Sequence, residues 1–439
     1  MLAVWFKFQH HKKIMLKRRE IIRLSAFFIL AILFTTSEAL SSDSVRIRVR
    51  LSSGVPEAWV RGMDLQIKNS EGNFSRPQDV ARAQEWKFRC HENKVEVVQV
   101  GDRGQTLVLE SPVQVASQAG FLQFNGRPFR EEFRIFSLGS LCEVINILDV
   151  EKYLDGLVNS EFSSRWSDES IQAQIIAARS YAYYQIEQSR KLHYDVTSSV
   201  RDQVYDGSAR EDSRASRLVA QTRGMVLMVP GKKSIEPLKA FYHSTCAGKT
   251  ELPERVWGKS FPGFKQRVSC PFCANSPAFR WELDLSTSMI EERFRKGALS
   301  DSQAIQVKKG SADWRKFIRE AALTDIQVIS GASQLAGELG NRVSYVVTQW
   351  QLPSGDQKQM SSLAVSGHRF REWMGSTRLK SAVFEVKPFS SDQWHFRGRG
   401  YGHGVGMCQY GAKTMGEKGF TMAKILKHYY PDAVIQKLW

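Results

Sequence analysis

Between Ser44 and Leu51 the chain reads "SVRIRVRL", in which Val45, Ile47, Val49 and Leu51 alternate with Arg46, Arg48 and Arg50. A period of two predicts a half-buried strand with one solvated face. Short runs of the same kind, "KVEVVQV", "TLVLE" and "EEFRIFSL", follow between Gly, Asn and Ser turns, so residues 44–145 read as a small β-rich domain. At Leu148 the period changes. "LDVEKYLDGLV" sets Val150, Leu154, Leu157 and Val158 on one helical face, and "SDESIQAQIIAARSYAYYQIEQ" does the same with Ile171, Ile175, Ala178, Ala182 and Ile186. Ser167 is the expected N-cap of this second helix, and Asp168 and Glu169 suit its positive end.

Beyond residue 195 the pattern turns to loops and strands ("MVLMV", "PLKAFYHST"). Two amphipathic helical segments, around "MIEERFRKG" and "DWRKFIREAAL", mark 284–340 as a helical insertion. Strands return at "RVSYVVTQWQL" and "SAVFEV", and a helix around "FTMAKILKHYY" is stopped by Pro431. The expected class is α+β: a β-rich N-terminal domain, then a mixed helix and antiparallel-strand domain over 146–439.

The first 39 residues read as an export signal rather than structure. Lys12, Lys13, Lys17, Arg18, Arg19 and Arg23 precede the apolar run "LSAFFILAILF", and Ser37 and Ala39 stand at small-residue cleavage positions. Met15 would start a signal of more ordinary length, and an uncleaved anchor is the alternative, the only membrane attachment expected. Removing its seven Lys/Arg and two Asp/Glu from the chain's 62 and 45 leaves +12 on the exported part. A diffuse positive field outside the cytoplasm, in the periplasm or cell envelope, favours anionic polymers. No zinc-finger, helix-turn-helix or aromatic ribonucleoprotein pattern points to nucleic acid.

Three stretches carry candidate chemistry. In "GYGHGVGMCQYGA", Gly400, Gly402, Gly404 and Gly406 alternate, which in a strand would strip one face of side chains and let a ligand lie against it; a bulge or tight corner is the other reading. His403, between two of these glycines, suits sugar contact or proton transfer. Glu161, in "NSEFSSRW", stands beside Phe162 and Trp166, and a carboxyl group against aromatic surface tends to stay protonated, as a general acid must; an isolated Glu at a helix end is otherwise a solvated or capping residue. His243 and Cys246 form H-x2-C, and Cys270 and Cys273 form C-x2-C, together a Cys3His set with tetrahedral zinc spacing, with disulfides as the alternative in an exported chain. Cys90, Cys142 and Cys408 are unpaired by spacing, with Cys408 a possible substitute for His243 as fourth ligand.

The words "VEKYLDGLVNSEFSSRWSDESIQAQIIAARSYAYY", "DQVYDG", "FYHSTCAGKTE…VWG", "CPFCANSPAFRW" and "GYGHGVGMCQYGAKTMGEKGFTMAKILKHYYP" together resemble the SpoIID/LytB family, over about residues 130–439 with gaps. The resemblance implies a groove for peptidoglycan glycan strands and either of two activities. Sporulation members are lytic transglycosylases that prefer strands stripped of peptides, and their catalytic acid/base glutamate matches Glu161; amidase enhancers bind the wall and stimulate a cell-wall amidase without cutting. Under the first, a muramic acid 6-hydroxyl serves as nucleophile and no cofactor is needed for catalysis, so any zinc is structural. Arg179, Gln203, His403, Gln409 and Tyr410 are then the candidates for holding sugar hydroxyls or the lactyl carboxylate. The family's word has Ser where this chain has Cys408.

Overall fold

The alternating N-terminal segments build one twisted sheet. The computed structural model describes residues 44–73, 83–101, 106–231, 234–307, 314–330, 342–352 and 360–439, so the export signal expected over 1–39 lies outside the described residues. Arg46–Leu438 make one compact unit; Ser44, Val45 and Trp439 belong to another and carry no regular secondary structure.

Strands β1 (Arg46–Val55), β2 (Glu57–Met63), β3 (Leu65–Asn69), β4 (Gly72–Asn73), β5 (Ala83–His91), β6 (Lys94–Gln99), β7 (Thr106–Glu110), β8 (Val113–Phe124), β9 (Arg127–Leu138) and β10 (Leu141–Asp149) join in antiparallel pairs. In β1, Ile47 and Val49 are buried and the intervening arginines face outward, as the period of two requires. Val60, Phe88, Val97, Val115, Phe133 and Ile135 fill the same buried face. Cys90 of β5 and Cys142 of β10 form a disulfide, which corrects the reading of both as unpaired: a separation of 52 residues has no local signature and becomes contact only when the sheet forms.

The sheet hands over to helices without a loop. Asp149, the last residue of β10, caps α1 (Val150–Glu161) by accepting the Glu151 N–H at 2.7 Å. Helix α2 (Asp168–Gln188) starts after Ser167, which occupies the N-cap position with its hydroxyl turned to that of Ser170. The two helices bury the faces expected from periodicity, Val150, Leu154, Leu157 and Val158 on α1 and Ile171, Ile175, Ala178 and Ala182 on α2, except that Ile186 near the end of α2 is only half-buried. β11 (Val196–Thr197) runs parallel to β1 and extends the sheet.

After α3 (Ser213–Gln221) come β12 (Met225–Pro230), β13 (Ile235–Pro237), β14 (Tyr242–His243) and the short α4 (Pro253–Trp257). The section that follows comprises β15 (Arg280–Ser286), α5 (Thr287–Ser300), β16 (Gln306–Val307), α6 (Trp314–Glu320), β17 (Ala322–Ser330), β18 (Val343–Gln351), β19 (Met360–Ser366), α7 (Gly367–Met374), β20 (Phe384–Pro388) and β21 (Gln393–Arg399). It has its own core, in which Phe294 of α5 meets Trp350 of β18 at 5.5 Å and Phe370 of α7 at 6.4 Å. The helices read over 284–340 therefore pack onto the sheet β16–β19–β18–β17.

The chain closes with β22 (Met407–Cys408), α8 (Gln409–Glu417), α9 (Met422–Tyr429) and β23 (Val434–Lys437). β22 lies parallel to β14, and β23 antiparallel to β12. A second core packs Ala173, Ile176 and Ala177 of α2 with Met407, Met415, Ile425 and Tyr429, which brings the C-terminal segments beside α2. Among the described residues no helix is long and apolar enough to cross a membrane.

Candidate functional site

Glu161 is the last residue of α1; Phe162 is extended and ends the helix, its N–H bonding back to the Val158 carbonyl. The residue is half-buried, and loss of water around the carboxyl raises its pKa to about 7, against the opposing pull of a hydrogen bond from the Val204 N–H. That donor belongs to a loop pinned by Asp202, which accepts from the Tyr181 hydroxyl at 2.8 Å, the Thr197 N–H at 2.9 Å and the Thr197 hydroxyl at 2.8 Å. Tyr153, Tyr181 and Tyr242 stand close enough for the Glu161 charge to bear on each of their hydroxyls. On another side, Phe162 packs at 6.3 Å from Trp166, and Trp166 at 5.5 Å from Tyr410. Tyrosines from three elements, α1, α2 and β14, thus come within electrostatic reach of one carboxyl group.

The structure separates the five expected sugar contacts. Tyr410 is half-buried and reaches the Glu161 neighbourhood through Trp166. Arg179 is fully buried and forks onto Glu151, with Nε to Oε1 at 3.0 Å and Nη2 to Oε2 at 2.6 Å, while its other donors reach the Val219 and Met225 carbonyls. It ties α1, α2, α3 and β12 together and has no face for a ligand, which corrects its expected role. Gln203 is likewise fully buried: its oxygen accepts from Tyr153, and its nitrogen donates to Tyr242 and the Ala178 carbonyl. This amide is used up inside the protein, a second correction. Gln409 is 7% exposed, at the start of α8, and its Nε2 has no partner among the described residues. His403 packs among Trp257 at 5.1 Å, His243 at 5.6 Å and Phe241 at 6.1 Å, and its Nδ1 accepts the Val405 N–H at 3.1 Å. Burial first, and then the neighbouring His243, His368, Arg371 and Arg342, push it well below the usual imidazole range. A neutral ring accepting at Nδ1 carries its proton on Nε2 and so can only donate there.

The alternating glycines are not a strand. Gly400, Gly402, Gly404 and Gly406 have φ of +80°, +108°, +82° and +72°, left-handed values at every second residue. Their bare faces meet the protein itself: the Thr245 carbonyl at Gly400, the His243 side chain at Gly402, the Arg342 guanidinium at Gly404 and the Phe241 carbonyl at Gly406. The expected sugar-facing floor is replaced by a tight corner that the protein's own backbone and side chains fill.

The cysteine set is also redrawn. Cys246, Cys270, Cys273 and Cys408 are buried, free of disulfides, and bring their sulfurs within 4.8 Å of one another. His243 turns away, with Nδ1 at 3.1 Å from the Val405 carbonyl; the parallel pairing of β14 with β22 puts Cys408 in the fourth place instead. Tetrahedral zinc with Zn–S bonds of ~2.3 Å needs sulfurs about 3.8 Å apart, and Cys246 and Cys273 lie at 3.6 Å. Backbone N–H groups of Cys246 and Gly411 point at the Cys408 sulfur at 3.3 and 3.4 Å, an arrangement suited to a thiolate. Burial first, and then the neighbouring Cys246, Cys270 and Cys273, push the Cys408 thiol well up, so four thiolates side by side require a cation. The residues fit a metal ion held by four sulfurs.

The Val204 N–H, the three tyrosines and Trp166 were not singled out as site residues in the sequence. Trp166 was visible as a neighbour of Glu161, but a backbone N–H carries no residue signal and the tyrosines come from three separate elements.

Residues 139–229, which contain α1, Glu161, α2 and Val204, match the family model for the stage II sporulation protein SpoIID. The amidase enhancer of Bacillus subtilis (strain 168) is 29% identical over 302 residues, covering 64% of this chain and 40% of that protein. The stage II sporulation protein D of the same organism is 26% identical over 306 residues, covering 66% of this chain and 75% of that protein, and its counterpart in Bacillus amyloliquefaciens is 27% identical over 305 residues with the same coverage. The chain therefore spans well under half of the amidase enhancer and about three quarters of each sporulation protein. Together, the matched segment around Glu161 and these relatives make the chain similar to SpoIID-type proteins over about two thirds of its length.

Proposed function

We propose that the protein is a peptidoglycan lytic transglycosylase in which Glu161 is both general acid and general base. The observation that carries this reading is a half-buried carboxyl group with its pKa raised to about 7, within electrostatic reach of three tyrosines and fixed by one backbone donor. A group of that pKa is protonated often enough at neutral pH to donate, and basic enough afterwards to accept. Ordinary glycoside hydrolysis needs a second carboxylate. The acidic side chains nearest in sequence are engaged elsewhere: Asp155 pairs with Lys152, Asp168 pairs with Arg214, and Glu169 accepts the Met422 N–H. An internal nucleophile fits that arrangement. Glu161 gives its proton to the glycosidic oxygen as the bond to the muramic acid C1 breaks; the 6-hydroxyl oxygen of the same sugar bonds to C1 and passes its proton to the Glu161 carboxylate. Glu161 ends protonated again, no water is consumed, and the product carries a 1,6-anhydro ring. Tyr410, His403 and Gln409 remain the proposed sugar contacts, and the proposed zinc, closed by four sulfurs, is structural and takes no part in these steps.

The setting is proposed to be the cell envelope, outside the reducing cytoplasm. The Cys90–Cys142 disulfide supports that, since such bonds persist in oxidising compartments. A second reading follows from the relative named amidase enhancer: a wall-binding protein that stimulates a cell-wall amidase without cutting. Incubating the purified protein with peptide-free glycan separates them. The enzyme releases soluble fragments whose muramic acid ends are lighter by one water than hydrolysed ends. Fragments appearing only when an amidase is added, or label from ¹⁸O-water at the new ends, would overturn the transglycosylase reading.

A further inference from the structure

Lys239 sits in the link between β13 and β14, half-buried, with four aromatic rings around its ammonium group. Nζ lies 5.3 Å from the ring centre of Phe241, 5.4 Å from those of Tyr181 and Phe261, and 5.5 Å from that of Tyr184. Such contacts favour a cation over the ring faces but use none of its three N–H donors. No carboxylate of the described residues lies within ion-pair distance. The acid that bears on it electrostatically, Asp202, spends its oxygens on Tyr181, Gln185 and Thr197. The half-buried ammonium has its donors free of any acceptor among the described residues, so it can turn them to an acidic partner brought by a ligand. Burial lowers its pKa, against the opposing pull of Asp202.

The surroundings indicate what the partner is. Phe241 continues the aromatic wall to Phe261 at 5.3 Å and to Trp257 at 4.7 Å, and Trp257 is 37% exposed. A second ammonium, Lys259, stands over Phe261 at 5.1 Å. The wall is continuous with the Glu161 site: Tyr181, which flanks Lys239, bonds to Asp202 two residues before the Val204 N–H that holds Glu161. Aromatic faces offer apolar surface to sugar rings, and an ammonium set among them offers a charged hydrogen bond to one acidic substituent. We infer that Lys239 is a specificity-determining residue of a sugar subsite beside Glu161, where it binds the lactyl carboxylate of a peptide-free acidic glycan. The inference rests on the glycan-binding reading above but not on catalysis.

The test uses the full chain carrying Glu161→Gln, to stop turnover, and three ligands of equal length: a peptide-free muramic acid-containing oligomer, the same oligomer with its carboxylates reduced to alcohols, and a neutral N-acetylglucosamine oligomer. Calorimetric titration at low salt is expected to show the acidic oligomer binding about tenfold or more tighter than the reduced one, as a charged contact provides. Adding Lys239→Met, which keeps an unbranched apolar stem among the rings, should abolish that preference and leave the other two affinities unchanged. Lys239→Arg should retain most of it. Equal binding of the acidic and reduced oligomers overturns the inference without any mutation at Lys239, as does a preference that survives Lys239→Met or a loss shared equally by all three ligands. If the preference depends on Lys239 while the unsubstituted protein makes no anhydro ends, only the catalytic reading fails; anhydro ends without the preference refute only this subsite.

Discussion

The carbonyl oxygen of Phe241 occupies the space that a side chain on Gly406 would need. It is held there by two hydrogen bonds, from the Met407 N–H at 3.1 Å and the Tyr430 hydroxyl at 2.6 Å, so it cannot simply move aside. Gly406 also has φ of +72°.

Gly406→Ala is therefore expected to destabilise the protein strongly. The left-handed conformation costs ~1–2 kcal/mol for a residue with a Cβ, and displacing a doubly bonded buried carbonyl adds roughly 1–3 kcal/mol. Gly404→Ala should be milder, because the obstacle there is the end of the flexible Arg342 side chain. Thermal melts of the two variants compare them directly. If both fold like the parent and lose only glycan affinity, these glycines line a groove after all.

This corner shows where sequence reading stops. The helices α1 and α2 and strand β1 follow from local periodicity because each buries one face against whatever covers it, and the identity of the cover does not matter. The glycine alternation carries two meanings with the same spacing: a bare strand face, or a left-handed turn at every second residue. Only the chain packed against it, Phe241, His243, Thr245 and Arg342, decides between them. Arg179 illustrates the same limit, since a guanidinium nine residues before the end of α2 reads equally as ligand or staple until Glu151 is seen beside it. Glu161 was legible for a local reason: its aromatic neighbours Phe162 and Trp166 adjoin it in sequence.

Glu161→Gln should abolish cleavage while preserving glycan affinity, with a loss of ~10²–10⁴-fold for removal of a general acid–base group. The pH profile gives an independent check. With the folded pKa raised to about 7 from an ordinary 4.5, the folded state holds its proton more tightly than the unfolded chain. Its contribution to stability is complete below about pH 4.5 and is lost as pH rises through 7. Melting temperatures of the parent should fall across that window more than those of Glu161→Gln, and activity should decline above pH 7 as the acid form disappears. Identical melting profiles would mean that the Glu161 carboxyl titrates normally.

Arg179→Ala should unfold or severely weaken the protein rather than impair sugar binding, since it leaves the buried Glu151 carboxylate without its guanidinium. Breaking one half of a buried ion pair costs ~3–5 kcal/mol. Adding Glu151→Gln to Arg179→Ala should recover part of the loss by removing the stranded charge. Denaturant titration of the two variants reads this out, and a stable Arg179→Ala protein with weakened glycan binding would restore the sugar-contact role.

Metal analysis separates the two four-ligand sets, because they differ only in His243 against Cys408. Elemental analysis of protein purified with zinc present is expected to give close to one zinc per chain, retained in His243→Ala. Cys408 is also the N-cap of α8, its sulfur accepting the Gly411 N–H. Serine caps as well, so Cys408→Ser keeps the helix start and removes only the thiolate. Zinc affinity in that variant should fall by more than the ~10–100-fold that losing an outer-shell partner costs. Chelation should lower the melting temperature of the parent protein and leave Glu161-dependent cleavage intact at temperatures where the chelated protein stays folded, because a closed sulfur site has no position for a reacting water. Full zinc content in Cys408→Ser together with its loss in His243→Ala would return the fourth ligand to the histidine.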